Sequence, residues 1–110
     1  MQQITPAQLS QWVAQQPQRP LLLDVREGWE LQTASVKPGD DYDFLHMPMQ
    51  TVPARLQELD RERPIACLCH HGGRSMQVAS FLAAQGYQVA NVAGGIHAWS
   101  LQVDPSVPQY

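Results

Sequence analysis

The chain is poor in charge, in lysine and in cysteine. Only 15% of its 110 residues are charged, the net charge is −3, and Lys37 is its one lysine. A nucleic-acid partner is therefore not expected, because binding phosphates calls for a dense basic face. Long hydrophobic runs are missing too. None approaches the roughly 20 apolar residues that span a bilayer, and the start "MQQITPAQLS" lacks the basic and apolar regions of a signal peptide. We expect no membrane partner and a cytoplasmic location. The two cysteines, Cys67 and Cys69, stand one residue apart, too close for an easy disulfide between them. A disulfide framework is excluded, and free thiols in a reducing compartment are expected. What is present is an ordinary globular share of hydrophobic residues, 44%, in a length suited to a single domain, residues 1–110.

The hydrophobic pattern alternates between helix and strand. Thr5, Pro6 and Gln8 read as a helix start, with Leu9, Trp12 and Val13 following at helical spacing. "LLLDV" at 21–25 has the unbroken apolar character of a strand buried on both faces. Residues 26–43 show little periodicity and contain Pro38 and Gly39, so we read them mostly as loop. "DFLHMPM" carries a short strand, and Pro53 opens a second helix through Leu56 and Leu59. "PIACLC" is another buried strand. A helix with the stripe Val78, Phe81 and Leu82 then begins at Arg74 or Ser75. "YQVANV" is a further strand, "GGIHAWS" a turn and short helix, and residues 101–110 an irregular tail. Strands alternating with helices predict an α/β fold with a mainly parallel sheet. Ligands in such sheets gather beyond the carboxyl ends of the strands.

Cys69 falls at such an end, followed by "HHGGRS". Gly72 and Gly73 permit a tight loop whose successive N–H groups turn inward. The helix that follows adds unpaired donors and a positive dipole end. Arg74 contributes a cation suited to oxyanion binding, and His70 and His71 would add charge if protonated. This setting favours an ionised, nucleophilic Cys69. Cys67 lies inside the strand and reads as a small buried hydrophobe. Ser75 takes the default role of starting or capping the helix. A metal reading also arises, since "CLCHH" holds two thiols and two imidazoles. Four ligands within five residues, however, cannot readily surround one ion tetrahedrally, no second knuckle follows, and His46 and His97 stand isolated. We expect no metal and no cofactor.

The segment "CHHGGRS" with its following helix resembles the active-site loop of the rhodanese-like sulfurtransferases. "LLLDVRE" followed by Trp29 resembles the family's early strand and turn, and "VANVAGGIHAWS" its closing strand and Gly-Gly-Ile-x-Ala-Trp signature. These segments run in the family's order from about residue 21 to 100. The resemblance implies a single rhodanese domain, a three-layer α/β/α fold with a mainly parallel central sheet. It further implies that Cys69 accepts sulfane sulfur from a small donor such as thiosulfate as a persulfide and passes it to a thiophilic acceptor. The amides of residues 70–75 would then hold the sulfur anion, Arg74 would attract an anionic donor, and Asp24 and Arg26 would make structural ionic contacts near the site. Related phosphatases carry Cys-x5-Arg. Here the spacing is Cys-x4-Arg, a tighter bowl that suits one sulfur atom better than a phosphate. Two alternatives stay open: a carrier module accepting persulfide from a sulfur-relay protein, and a phosphatase-like or arsenate-reducing enzyme. The segment 32–50 departs from the family, only "LHMPM" matching the end of its usual pattern.

Overall fold

A computed structural model describes residues 1–37 and 39–110; Pro38, assigned to the loop above, lies outside them. Five short strands form one sheet: β1 (Gln2–Ile4), β2 (Leu21–Asp24), β3 (Asp43–His46), β4 (Ile65–Leu68) and β5 (Val89–Val92). Their spatial order is β1-β5-β4-β2-β3, with every pair parallel. The helices are α1 (Leu9–Ala14), α2 (Gly28–Thr33), α3 (Gly73–Ala84) and α4 (Gly95–Gln102).

The unbroken apolar strands follow from burial on both faces. Leu22, Ala66, Leu68, Ala90 and Val92 point to one side, where they pack with Leu9, Trp12 and Val13 of α1 and Ile96 and Trp99 of α4. Their sequence neighbours Leu21, Leu23, Ile65, Cys67 and Val89 point the other way, against Val78, Ala79 and Leu82 of α3. Period-two alternation thus builds two cores on one sheet, giving the three-layer α/β/α architecture. All four strands β2 to β5 run the same way, so the carboxyl ends of β2 and β4 lie side by side, with Asp24 in register with Leu68.

The structure differs from the sequence reading in several places. Residues 26–43 are mostly loop, as read, but they also hold the unforeseen helix α2, and Glu27 is its N-cap, its backbone N–H donating to Glu30 Oε2 at 2.8 Å. The helix was hidden because Glu30 is the residue it buries, so it carries no apolar stripe. The stretch after Pro53 is a kinked 3-10 segment (Pro53–Glu58) rather than an α-helix, with Arg55 in a non-helical conformation. Strand β1 carried no pattern; its three residues are held by pairing with β5. The tail is not wholly irregular, since α4 extends through Gln102 and Tyr110 returns to the carboxyl end of the sheet.

Candidate active site

Cys69 follows β4 directly and is 1% exposed. Two polar groups reach its sulfur among the described residues: the Gly72 N–H donates to Sγ at 3.1 Å, and the Ser75 hydroxyl lies at 3.2 Å. The side chain is therefore enclosed but not surrounded by hydrocarbon alone. Gly72 is the N-cap of α3 and has φ +108°. A side chain there would be strained by that backbone angle and crowded by the Gly94 nitrogen at 3.2 Å. Because Gly72 takes the cap, Ser75 is displaced from the capping role read for it. It sits in the first turn of α3, completely buried, with Oγ turned to Cys69, to the Gly72 carbonyl (3.2 Å) and to Asn91 Oδ1 (2.5 Å).

The Gly-Gly-Ile segment locks the back of the loop. The amides of Ile96 and His97 donate to the carbonyls of Cys69 (2.9 Å) and His70 (3.1 Å). These amides are otherwise unpaired in the first turn of α4, so the helix end satisfies itself by binding the loop. Gly95 is the point of closest approach: a Cβ there would fall 2.4 Å from the His70 carbonyl oxygen and 2.5 Å from that of Cys69.

A connected charged network lies alongside. Arg26 and Asp24 are both fully buried and joined through Nη2–Oδ2 at 2.7 Å and Nε–Oδ1 at 3.0 Å. Arg26 Nη1 also donates to the Tyr110 hydroxyl (3.0 Å), which donates to Glu30 Oε1 (2.9 Å). Arg74 grips both oxygens of Glu30, at 2.6 and 2.7 Å. The cation expected to meet a donor anion is thus already paired with a carboxylate. That fork of hydrogen bonds from Arg74 holds the Glu30 carboxyl down at about 2, from an ordinary 4.5, against the opposing effect of burial. The sign follows directly. Glu30 titrates lower in the folded chain, so its stabilisation is complete above pH about 4.5 and is lost as the pH falls toward about 2. With Arg74 about a third exposed (34%), solvent screening leaves on the order of 2 kcal/mol. Urea unfolding at pH 7 and pH 3 checks this: Glu30→Gln is expected to lose stability at pH 7 and to show a markedly smaller drop between the two pH values than the unmodified chain.

The histidines form a stack at the loop. His70 lies flat on the Tyr110 ring, centroids 3.8 Å apart and planes 2° apart; His71 follows at 3.9 Å from His70, and His97 at 5.0 Å from His71. His97, isolated in the sequence, is thus brought to the loop, while His46 donates through its Nε2–H to the Arg26 carbonyl (2.6 Å). Burial, and next the neighbouring His71, lower the pKa of His70. Cys67, fully buried within β4, has its thiol pushed up to about 12 by burial, which leaves it a core residue. Among the described residues no group of three or more His, Cys, Asp or Glu side chains is placed to hold a metal ion, and no helix is long and apolar enough to cross a membrane.

Cys69, His70, His71, Gly72, Gly73, Arg74 and Ser75 are therefore contiguous at one site, with Asp24 and Arg26 at its edge. Glu30, Asn91 and Tyr110 escaped the sequence reading. Glu30 could have been found from its place three residues after Glu27, a capping arrangement. Nothing local marks Asn91 or Tyr110.

Fold and site together define a parallel α/β domain with a hydrogen-bonded cysteine on a glycine loop between strand and helix. The family model described as "Rhodanese-like domain" matches residues 5–102, and the chain belongs to that family. It is 46% identical over 90 residues to the Rhodanese-like/PpiC domain-containing protein 12, chloroplastic, of Arabidopsis thaliana, covering 81% of this chain but 30% of that protein. It is 37% identical over 81 residues to a sulfurtransferase of Allochromatium vinosum, covering 73% of this chain and 71% of the relative. With the putative sulfurtransferase YtwF of Bacillus subtilis it shares 32% over 84 residues, 76% and 77% of the two chains. The chain thus spans less than a third of the first of these relatives and most of the other two. Among solved structures, a rhodanese-related protein of Thermoplasma volcanium superposes with a TM-score of 0.78 at 27% identity over the full length of both chains. Reduced Bacillus anthracis CoADR-RHD gives a TM-score of 0.80 at 24% identity, covering 97% of this chain and 18% of that one; the likeness there concerns the fold.

Proposed function

We propose that this domain transfers sulfane sulfur through a persulfide on Cys69. The observation that carries the reading is the sulfur itself: it ends a central strand, meets the Gly72 amide and the Ser75 hydroxyl, and is enclosed by its own loop. In the reaction, the Cys69 thiolate attacks the outer sulfur of thiosulfate. A Cys69–S–S⁻ bond forms, the sulfur–sulfur bond of the donor breaks, and sulfite leaves with its electron pair. A thiophilic nucleophile such as cyanide then takes the outer sulfur as thiocyanate and returns the thiolate. The Gly72 N–H and a rotatable hydroxyl are suited to stabilising negative charge on either sulfur state.

A second reading of the donor is favoured by one contact. Arg74, the loop's cation, is neutralised by Glu30, which weakens its pull on a dianion such as thiosulfate. A persulfide carried by a small thiol or by a sulfur-relay protein brings less charge to the enclosed sulfur. On this reading the domain accepts persulfide from a partner, in a reducing compartment such as the cytoplasm, where Cys67 and Cys69 stay free. The phosphatase-like alternative finds less support, because a bowl this closed around one sulfur suits a single atom.

Intact-mass measurement after incubation with thiosulfate or with a low-molecular-weight persulfide tests both readings. We expect one added sulfur atom per chain with either donor, faster with the persulfide, and its removal by cyanide as thiocyanate. Faster loading by thiosulfate would sink the persulfide preference alone. No added sulfur from either donor, or Cys69-dependent hydrolysis of an aryl phosphate in its place, would overturn the sulfur-transfer reading.

A further inference from the structure

Behind the nucleophile lies a buried polar cluster that sulfur transfer as written does not use. Asn91 on β5 is 2% exposed and Ser75 fully buried. The Asn91 amide orientation is fixed by its neighbours. Nδ2 faces the Gly72 carbonyl at 3.2 Å and Gln3 Oε1 at 3.0 Å, and Gln3 is itself oriented by its Nε2 donating to Met76 Sδ at 3.1 Å. A carbonyl can only accept, so Asn91 Nδ2 must be the group that meets it, and Oδ1 is left facing Ser75 Oγ at 2.5 Å.

Counting protons then decides what Ser75 offers the sulfur. Its hydroxyl has one hydrogen and three neighbours that can accept it: Asn91 Oδ1 at 2.5 Å, Cys69 Sγ at 3.2 Å and the Gly72 carbonyl at 3.2 Å. The Gly72 carbonyl already accepts from Met76 N–H (3.1 Å) and Asn91 Nδ2. Asn91 Oδ1 is by far the closest acceptor and has no hydrogen of its own to give, so the Ser75 proton lies on that contact. Ser75 then presents a lone pair to Cys69, and the 3.2 Å contact is closed by the thiol S–H donating to Oγ. The resting arrangement is self-consistent only for a neutral thiol that accepts from Gly72 and donates to Ser75.

We propose that Asn91 is a positioning residue that holds the Ser75 proton away from Cys69, and that the nucleophile is switched on by rotation of this hydroxyl from Asn91 Oδ1 to the sulfur. The step is a deprotonation with no change of oxidation state: the S–H bond breaks, its proton passes to a solvent base, and the electron pair stays on sulfur. The Ser75 O–H turns about Cβ–Oγ without being broken and donates to the new anion beside the Gly72 amide. The charged and titratable groups nearest the sulfur do not supply this control. Cys67 on β4 is itself held neutral by burial, Arg74 on α3 is paired with Glu30 of α2, and His70 and His71 are stacked with Tyr110 and His97.

The proposal assumes that Cys69 is the reactive thiol, but its test does not depend on sulfur transfer. Iodoacetamide alkylation of Cys69 in the full chain is followed by peptide mass at neutral pH, together with thiolate ultraviolet absorbance. Ser75→Ala removes the donor and is expected to slow alkylation about tenfold, the scale of one hydrogen bond to a charged group. Asn91→Leu releases the Ser75 proton and is expected to speed alkylation several-fold and raise the thiolate absorbance. Asn91→Asp, a stronger acceptor, is expected to slow it. The double variant Ser75→Ala with Asn91→Leu should match Ser75→Ala alone, because Asn91 acts through Ser75. If Asn91→Leu fails to fold, Asn91→Ala takes its place with the same expected sign. Alkylation unchanged or slowed when the Asn91 amide is removed, or a double variant in which the slowing by Ser75→Ala and the speeding by Asn91→Leu simply combine, would overturn the proposal. Failure of sulfur loading with these alkylation results intact would instead count against the proposed function.

Discussion

Cys69→Ala is expected to take up no sulfur from thiosulfate or from a persulfide, while the unmodified chain gains one sulfur atom and Cys67→Ala gains it as well. The contrast between the two cysteines follows from their surroundings. Cys67 points into the core between the sheet and α3, where burial keeps its thiol neutral. Cys69, two residues on, has left the strand and meets the Gly72 amide and the Ser75 hydroxyl. Removing its sulfur takes away the atom on which the proposed persulfide would form, so the loss should reach background rather than a fraction. Cys69→Ser should be equally inactive, since an alcohol in the same place remains protonated at neutral pH. Neither change should unfold the domain. The deleted group is small, and the expected cost is on the order of 1 kcal/mol, which unfolding curves run beside the mass measurement will show. Full sulfur uptake by Cys69→Ala would remove the assignment.

The second large effect concerns stability. Asp24→Asn leaves the Arg26 guanidinium buried at 0% exposure without its counter-charge. Breaking such a pair from one side costs about 3–5 kcal/mol, a large part of the roughly 5–15 kcal/mol that holds a domain together. For a chain of this size the midpoint of thermal unfolding should fall by about 10–20 °C. Arg26→Met should be comparably destabilising, since it also strips donors from the Tyr110 hydroxyl and the Glu30 carbonyl. Combining Asp24→Asn with Arg26→Met removes both charges and should recover part of the loss. A double variant as unstable as the two single changes summed would mean that the pair's worth is not the unpaired charge. Because Arg26 holds Tyr110 and Tyr110 holds Glu30, the single changes should also loosen the grip of Glu30 on Arg74.

Much of this architecture could be read directly from local pattern. The strands β2, β4 and β5 announce themselves as apolar runs because both faces of a central parallel strand are buried. Cys69 announces itself because a glycine pair and an arginine follow a strand that ends on a thiol. Short elements without an apolar signature did not. Helix α2 buries a glutamate, β1 exists through its partner β5, and the segment after Pro53 tightened into 3-10 turns. Arg74 reads as the cation of the loop; the structure places it in the first turn of α3, and its pairing with Glu30 has no local trace, since the two lie 44 positions apart.

The sequence by itself determined the order of β2 to β5 and of helices α1, α3 and α4, the place of Cys69 at a strand end and the glycines that let its loop turn, because each of these depends on residues within one or two turns of chain. Tertiary structure alone decided which groups face the sulfur and which neutralise the loop's cation. Asn91 meets Ser75 only because β5 lies next to β4, and Tyr110 reaches Arg26 only after the chain has come back across the carboxyl edge of the sheet. Hydrogen bonds and buried charges are satisfied by whatever the fold brings within about 3 Å, and distance along the chain carries no information about that.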